Sequence, residues 1–244
     1  MRARERGRLS GTTAITVRAL AYGGRYIGKP VGFAKVEIFG PHCSEPLAQG
    51  LTNQGLAPGT DGSGVTQLIM GQRYFWGTPF NSEQATAFTA EIPLEEPAVL
   101  EFVATSMADP RIKVQCSRLA APGVALMGSR AVVLILHGLL TDLLAPATGI
   151  QVNEGSSLEI TARVRLMCGS RIEDHFWPVT SFDVRALILH EGMQQRLTLN
   201  YTGTPSVFAA AYRFTSPGTY RICVQATEAD GNLGRSKTVE VIVK

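Results

Sequence analysis

The stretch Phe208–Val243, FAAAYRFTSPGTYRICVQATEADGNLGRSKTVEVIV, predicts three short β-strands separated by two turns. In its middle strand the apolar residues Tyr220, Ile222, Val224 and Ala226 occupy every second position. A period of two is the signature of a strand that buries one face. Turns follow from Ser216-Pro217-Gly218 and from Asp230-Gly231, because proline and glycine favour turn conformations and aspartate can bond its own backbone nearby.

Length and composition support the same kind of structure for the whole chain. Its 244 residues are enough for one large or two ordinary domains, and 25 glycines and 13 prolines divide them into short segments. Charged residues make up 18%, the net charge is +3, and no basic run occurs beyond residue 10, which argues against a nucleic-acid partner. No apolar run reaches about 18 residues, so no membrane span is predicted.

We therefore predict an all-β fold made of two tandem antiparallel β-sandwich domains. The predicted order is a flexible arginine-rich tail (1–12), a first domain (13–138), a linker (139–149) and a second domain (150–244). The tail is either a solvated segment or an arm that binds an acidic surface. The linker Leu139–Gly149 is apolar enough that we expect it to pack between the domains.

Strands are predicted wherever alternation or β-branched residues are bounded by turn residues. In the first domain they are Thr13–Ala21, Gly28–Phe39, Phe88–Ile92, Val99–Ala104, Ile112–Cys116 and Ala131–His137, with a loop over Ser117–Gly128. In the second domain they are Ile150–Val152, Leu158–Met167, Phe182–His190, Gln195–Tyr201, Val207–Phe214, Thr219–Ala226 and Lys237–Val243.

The second domain resembles bacterial and archaeal immunoglobulin-like repeats of the fibronectin-like kind. The resemblance lies in the closing hairpin entered through Pro217-Gly218-Thr219-Tyr220 and in the number of short strands. It implies a two-sheet sandwich over residues 150–244.

The first domain resembles the transthyretin-like or carboxypeptidase-regulatory-like sandwich, over residues 13–107. That family carries a strand G-x-P-V-x-x-A-x-V-x-I followed by T-D-x-x-G-x-x-x-L. Matching residues are Gly28, Pro30, Val31, Ala34, Val36, Ile38, Thr60, Asp61, Gly64 and Leu68. The chain departs from the pattern by a longer insertion, Gly40 to Gly59.

Four cysteines, Cys43, Cys116, Cys168 and Cys223, fall two in each domain, which permits one disulfide per domain. The immunoglobulin resemblance would pair Cys168 with Cys223. The alternation of the strand Thr219–Ala226 argues against this pairing, because it places Cys223 on the polar face, with Arg221 and Gln225, and not on the apolar face.

No catalytic, cofactor-binding or metal-binding motif is recognised. The segment Val132–Leu139 resembles the oxyanion strand of α/β-hydrolases, but the nucleophile pentapeptide G-x-S-x-G occurs nowhere in the chain. The four histidines lack metal-ligand spacing, and Asp61 and Asp230 are explained by turn chemistry. We therefore predict that the protein is not an enzyme and needs no cofactor.

Two aromatic groups are candidate contact sites for a glycan or a protein partner: Tyr74 with Trp76, and Phe176 with Trp177. If these aromatic side chains are exposed, they would stack on a sugar or anchor a protein partner. If they are buried, they belong to the core.

The leading functional hypothesis is a non-catalytic structural or interaction protein of the cell surface or of an extracellular filament, sheath or surface layer. Self-association would proceed by strand addition, with Ile15, Val17 and Ala19 in a donated strand. The alternatives are a carbohydrate- or protein-binding accessory module and a non-catalytic subunit of a larger complex. An extracellular location is favoured, although Leu9-Ser10-Gly11 stands where a secretory signal would be apolar, and a cytoplasmic location is the alternative.

Overall fold

The computed structural model describes residues 11–22, 25–27, 31–52, 87–173 and 177–244, and it divides the chain into two compact units, residues 1–136 and 137–244. The predicted all-β sandwich fold is confirmed in both units.

The strands of the first unit form two four-stranded sheets. They are β1 (Gly11–Ala21), β2 (Arg25–Tyr26), β3 (Ala34–Phe39), β4 (Pro46–Leu51), β5 (Phe88–Leu94), β6 (Ala98–Ser106), β7 (Lys113–Ala120) and β8 (Val132–Leu136). One sheet has the order β4-β3-β6-β7. In the other, β5 and β2 pair with one edge of β1, and β8 pairs in parallel with its opposite edge.

The core of the first unit lies between these sheets, because alternate side chains of each strand point inward. Val36 and Ile38 are fully buried on β3, as are Leu100 and Phe102 on β6. From the facing sheet, Ile15, Val17 and Ala19 of β1 are equally buried.

The strands of the second unit also form two sheets. They are β9 (Leu139–Ala145), β10 (Ile150–Val152), β11 (Ser157–Leu166), β12 (Phe182–His190), β13 (Met193–Thr198), β14 (Asn200–Tyr201), β15 (Val207–Arg213), β16 (Gly218–Glu228), β17 (Leu233–Arg235) and β18 (Val239–Val243). One sheet has the order β14-β15-β11-β9, and the other has the order β10-β18-β16-β12-β13, with β17 also paired to β16.

This strand order is that of an immunoglobulin-like sandwich. The chain enters through β9 in the four-stranded sheet and then crosses to the other sheet, where β10 pairs in parallel with the final strand β18. Strand β16 lies at the centre of its sheet, and Tyr220, Ile222, Val224 and Ala226 all point into the core, as the sequence predicts.

Two predictions are corrected by the strand assignments, and the insertion in the first domain gains a strand. Leu139–Ala145, assigned to the linker, is strand β9 and pairs with β11. The loop predicted over Ser117–Gly128 begins only after Ala120, because β7 continues to that residue. The insertion Gly40–Gly59 contains strand β4, which starts at Pro46 on the edge of its sheet, where a proline costs no ladder hydrogen bond.

The predicted tail and the second half of the transthyretin-like pattern fall largely beyond the described residues. Gly11 and Thr12 already belong to β1. In the first half of the pattern, Gly32 and Phe33 adopt positive φ angles, so the strand starts at Ala34 rather than at Gly28.

Candidate functional site

Most of the predicted aromatic contact residues lie outside the described part of the chain, namely Tyr74, Trp76 and Phe176. Trp177 is described and is half-buried. Its backbone exchanges two hydrogen bonds with Glu173, with N···O distances of 3.1 and 3.3 Å, so this loop is closed by a local bridge.

Donation of the strand that carries Ile15, Val17 and Ala19 to a second copy stays a prediction, and in this structure these residues lie in β1 of their own unit. Strand β1 is paired with β5 and β2 on one edge and with β8 on the other, and these three side chains are fully buried in its own unit. A strand that occupies the centre of its own sheet has no free edge to offer a partner.

Neither of the possible disulfides is formed in the structure, since Cys43, Cys116, Cys168 and Cys223 are all free thiols. Cys223 points away from the core, and its Sγ accepts hydrogen bonds from Arg235 at 3.2 and 3.3 Å. Cys168 lies beyond the end of β11, and its Sγ donates to the hydroxyl of Ser170. The two buried thiols therefore have separate partners.

The described residues hold no group of three or more His, Cys, Asp or Glu side chains that could bind a metal ion. His190 stacks flat on Tyr220 with 3.9 Å between ring centroids, so it has a packing role. None of the helices in the described ranges is long and apolar enough to cross a membrane.

The candidate site is the outer edge of β7 in the first unit. Strand β7 ends the sheet order β4-β3-β6-β7, so in the described structure it pairs only with β6. In an antiparallel pair, residues that bond to the neighbouring strand alternate with residues whose backbone groups point away from it. The position of one ladder bond therefore determines which residues of β7 face outward.

That bond is donated by the N–H of Ser106 to the carbonyl of Ile112 at 2.9 Å. Hydrogen-bonded positions recur at every second residue of β7, so Val114, Cys116 and Arg118 also bond to β6. The backbone N–H and C=O groups of the intervening residues Lys113, Gln115, Ser117 and Leu119 consequently point to the open edge.

An apolar pair lies beside this edge. Leu119 is directly opposite Val99 of β6, and the two side chains are 63% and 55% exposed. Between Lys113 and Ala120 the strand has no proline and no register shift, and Lys113 is the single lysine that could guard it. Within the described residues, the edge therefore combines backbone groups that no other strand pairs with and exposed apolar surface.

The hairpin before β7 is held by a local ion pair. Arg111 forms a salt bridge of 2.7 Å with Asp109, whose backbone N–H bonds to the hydroxyl of Ser106. The hydrogen bond to Asp109 raises the pKa of Arg111. These contacts fix the start of β7.

The side chains of Cys116 and Arg118, on one face of β7, hold the strand to its own unit. Burial raises the pKa of the Cys116 thiol, although Arg118 acts in the opposite direction. Arg118 donates from one guanidinium nitrogen to the carbonyls of Arg130 and Ala131 at 3.2 and 3.3 Å. The strand is thus fixed on one side and open on the other.

Sequence reasoning missed this edge because Ser117 and Leu119 were assigned to a loop. The available signal was the period of two from Lys113 to Leu119, in which only one position is charged. Which strand lies at the edge of a sheet cannot be deduced from that pattern alone.

No protein-family model matches this chain, and no curated protein sequence matches it. Among solved structures, the chain is similar to the fibronectin(III)-like modules of CbhA from Clostridium thermocellum, with 14% identity, 96% of this chain and 94% of that chain covered, and a TM-score of 0.33. It is also similar to the titin domains z1z2 solved in complex with telethonin, with 14% identity, 96% of each chain covered and a TM-score of 0.27.

An engineered protein shows 23% identity over 49% of this chain, with a TM-score of 0.31, and the chain spans only 24% of that protein. TM-scores as low as these carry no argument for a family or a function. The fold assignment rests instead on the strand order and registers of the two units.

Proposed function

We propose that this protein is a non-catalytic interaction module of a cell-surface or extracellular assembly, and that it associates with a second copy of itself through the open edge of β7. The observation that carries the proposal is the outward-facing backbone of Gln115, Ser117 and Leu119 beside the exposed pair Val99 and Leu119. Unpaired edges of this kind accept a further strand.

The edge of β7 is compatible with pairing to itself. An antiparallel arrangement centred on Ser117 of both copies brings Gln115 opposite Leu119 and Cys116 opposite Arg118, so no charged residue lies directly opposite another of the same sign. Each of Gln115, Ser117 and Leu119 would then contribute one N–H and one C=O to the shared ladder.

The expected association is weak. Each backbone hydrogen bond contributes about 0.5–1.5 kcal/mol net, and a single added strand buries less surface than a standard interface. A few such bonds correspond to a dissociation constant of roughly micromolar to millimolar.

The proposal is tested by sedimentation and light scattering of the full chain over a wide concentration range. Ser117→Pro removes one outward N–H and leaves every bond to β6 intact, so it should weaken association by roughly tenfold with the fold retained. Leu119→Lys leaves the backbone unchanged and adds a guarding charge, and it should act in the same direction.

A matched control is Gln194→Pro, which places proline at the edge of β13 in the other unit. If the wild-type chain is monomeric at all concentrations, or if Ser117→Pro associates as strongly as Gln194→Pro, the proposed edge is not used. A monomer would direct attention to the alternative of a carbohydrate-binding module, tested by tryptophan fluorescence with a glycan panel.

The compartment is a separate part of the proposal. The four free thiols favour the alternative of a reducing, cytoplasmic compartment over the proposed extracellular one, because disulfides form in oxidising environments. Cell fractionation with surface protease treatment decides the question, since a surface protein is degraded by added protease while a cytoplasmic one is protected.

A further inference from the structure

The outer face of the six-stranded sheet in the second unit carries a ring of arginines, which we call the arginine face. Leu187 of β12 lies at its centre, with Arg196 of β13 opposite on one side and Cys223 of β16 opposite on the other. Arg185 and Leu189 flank Leu187 on the same face of β12. The complete ring consists of Arg185, Arg196, Arg221 and Arg235.

The arginine face has an excess of positive charge. Arg185 pairs with Asp183 at 2.8 Å, and Arg221 pairs with Glu240 at 3.1 Å. Within the described residues Arg196 has no ion-pair partner, so its guanidinium charge is not neutralised on this face. A surface of this kind attracts carboxylates and repels cations.

A shallow depression of about 90 Å³ lies beside Arg196 on this face. It is lined by Asp183, Arg185, Leu187, Arg196, Gln225 and Thr227. Pockets for whole small molecules are several times larger, roughly 300–1,000 Å³. The depression is therefore the right size for one or two side chains of a larger partner.

Among the described strands, β13 is the last in its sheet, so the arginine face ends at an edge that no described strand covers. The N–H of Leu199 donates to the carbonyl of Val184 at 2.8 Å, so residues at odd-numbered positions of β13 bond to β12. The backbone groups of Gln194, Arg196 and Thr198 consequently point outward. Their side chains are those that belong to the arginine face.

We propose that β13 accepts an extended acidic segment of a partner protein, with aspartate or glutamate at every second position. Side chains of a strand alternate between two faces, so every second side chain of the added strand would lie on the arginine face. A carboxylate opposite Arg196 would have its Cβ about 4.5–5.5 Å from that of the arginine, within reach of an ion pair.

The open backbone favours a polypeptide over an acidic polysaccharide as the occupant. A peptide strand supplies an N–H and a C=O in the spacing that Gln194, Arg196 and Thr198 require, while a polysaccharide would satisfy only the charges. This inference does not depend on the proposed self-association, because β7 and β13 belong to different units.

The test measures binding of labelled peptides to the full chain by fluorescence anisotropy at low and at physiological salt. The probe is a nine-residue peptide that alternates threonine and glutamate. Its control has the same composition with all glutamates in one block. The alternating peptide should bind more tightly, and salt should weaken its binding, because exposed charges are screened.

Two variants locate the site. Arg196→Glu should weaken binding of the alternating peptide by about tenfold or more, and Gln194→Pro should weaken it by blocking one outward N–H. The matched control is Arg163→Glu, which makes the same charge change on the exposed side of β11 in the opposite sheet and should have little effect.

The proposal is overturned if the alternating and block peptides bind equally, or if Arg163→Glu weakens binding as much as Arg196→Glu. Either result would show attraction to net charge alone. It is also overturned if alginate binds more tightly than the peptide and Gln194→Pro leaves that binding unchanged, since the occupant would then be a polysaccharide.

Discussion

The hydroxyl of Tyr220 donates a hydrogen bond to the carbonyl of Ser216, four residues earlier, at 3.1 Å. The ring is 2% exposed and packs edge-on against Phe214, with 4.9 Å between centroids. This contact, the tyrosine corner of immunoglobulin-like sandwiches, ties the turn before β16 to the core. It also accounts for the free thiol of Cys223, because the bridging cysteine of an immunoglobulin would stand two residues after the tyrosine, where Ile222 stands.

Tyr220→Phe should lower the free energy of unfolding of the second unit by about 1–3 kcal/mol, because it leaves a partly buried carbonyl without its donor. The measurement is a urea titration read by hydrogen exchange of β16 peptides. Tyr212→Phe is the control, since that hydroxyl donates to Gln195 at an exposed site. Equal effects of the two substitutions would contradict a special role for Tyr220.

Ser236→Ala should also destabilise the second unit by about 1–3 kcal/mol. The hydroxyl of Ser236 accepts from the buried N–H of Val224 at 2.8 Å and donates to the carbonyl of Lys237 at 2.7 Å. Its loss leaves the N–H of Val224 unsatisfied between β17 and β18. Thermal unfolding of the purified variants measures the loss of stability. Ser236→Thr should retain most of the stability, and the control Thr238→Ala, at an exposed site, should change the unfolding temperature little.

Gly234→Ala should loosen β9. A Cβ at this position would overlap the carbonyl oxygen of Leu139 and the hydroxyl of Thr141, so one strand must move. Overpacking of this kind costs about 1–3 kcal/mol. Hydrogen exchange should accelerate first in Leu139–Ala145, whereas Leu144→Ala, at an exposed site in the same strand, should leave it slow. Unchanged exchange in Gly234→Ala would contradict the close contact.

The four thiols should react in a fixed order with iodoacetamide. Exposed Cys43 should react first, and Cys116 should need a higher pH, because burial raises its pKa and the thiolate is the nucleophile. Buried Cys168 and Cys223 should react only after unfolding. Mass spectrometry of the native and denatured chain measures this order, and an intact mass that shows a disulfide would contradict it.

The sequence predicts well those strands that bury one face. Tyr220, Ile222 and Val224 alternate with polar residues because the other side of β16 faces solvent over most of its length. Strand β9 was missed for the opposite reason: Leu139, Leu140 and Thr141 are all buried, so no alternation marks them.

The candidate surfaces were harder to predict, because they depend on which strands lie next to one another. The alternation around Cys223 does place Arg221 and Gln225 on one outer face. Arg196 of β13 belongs to the same face only because β13 pairs with β12, and no local sequence pattern specifies that pairing. The same holds for Val99 and Leu119, which are twenty residues apart in sequence and directly opposite in the sheet.

In each unit, a strand near the entry of the chain lies parallel to the strand by which the chain leaves. These pairs are β1 with β8 and β10 with β18. A pull on the two ends of a unit would slide such neighbours lengthwise past each other, so all hydrogen bonds between them would bear the load together. Antiparallel neighbours joined by a hairpin would instead open one bond at a time. We therefore expect both units to resist stretching along the chain, with a rate of forced unfolding that depends on the rupture of these two short ladders.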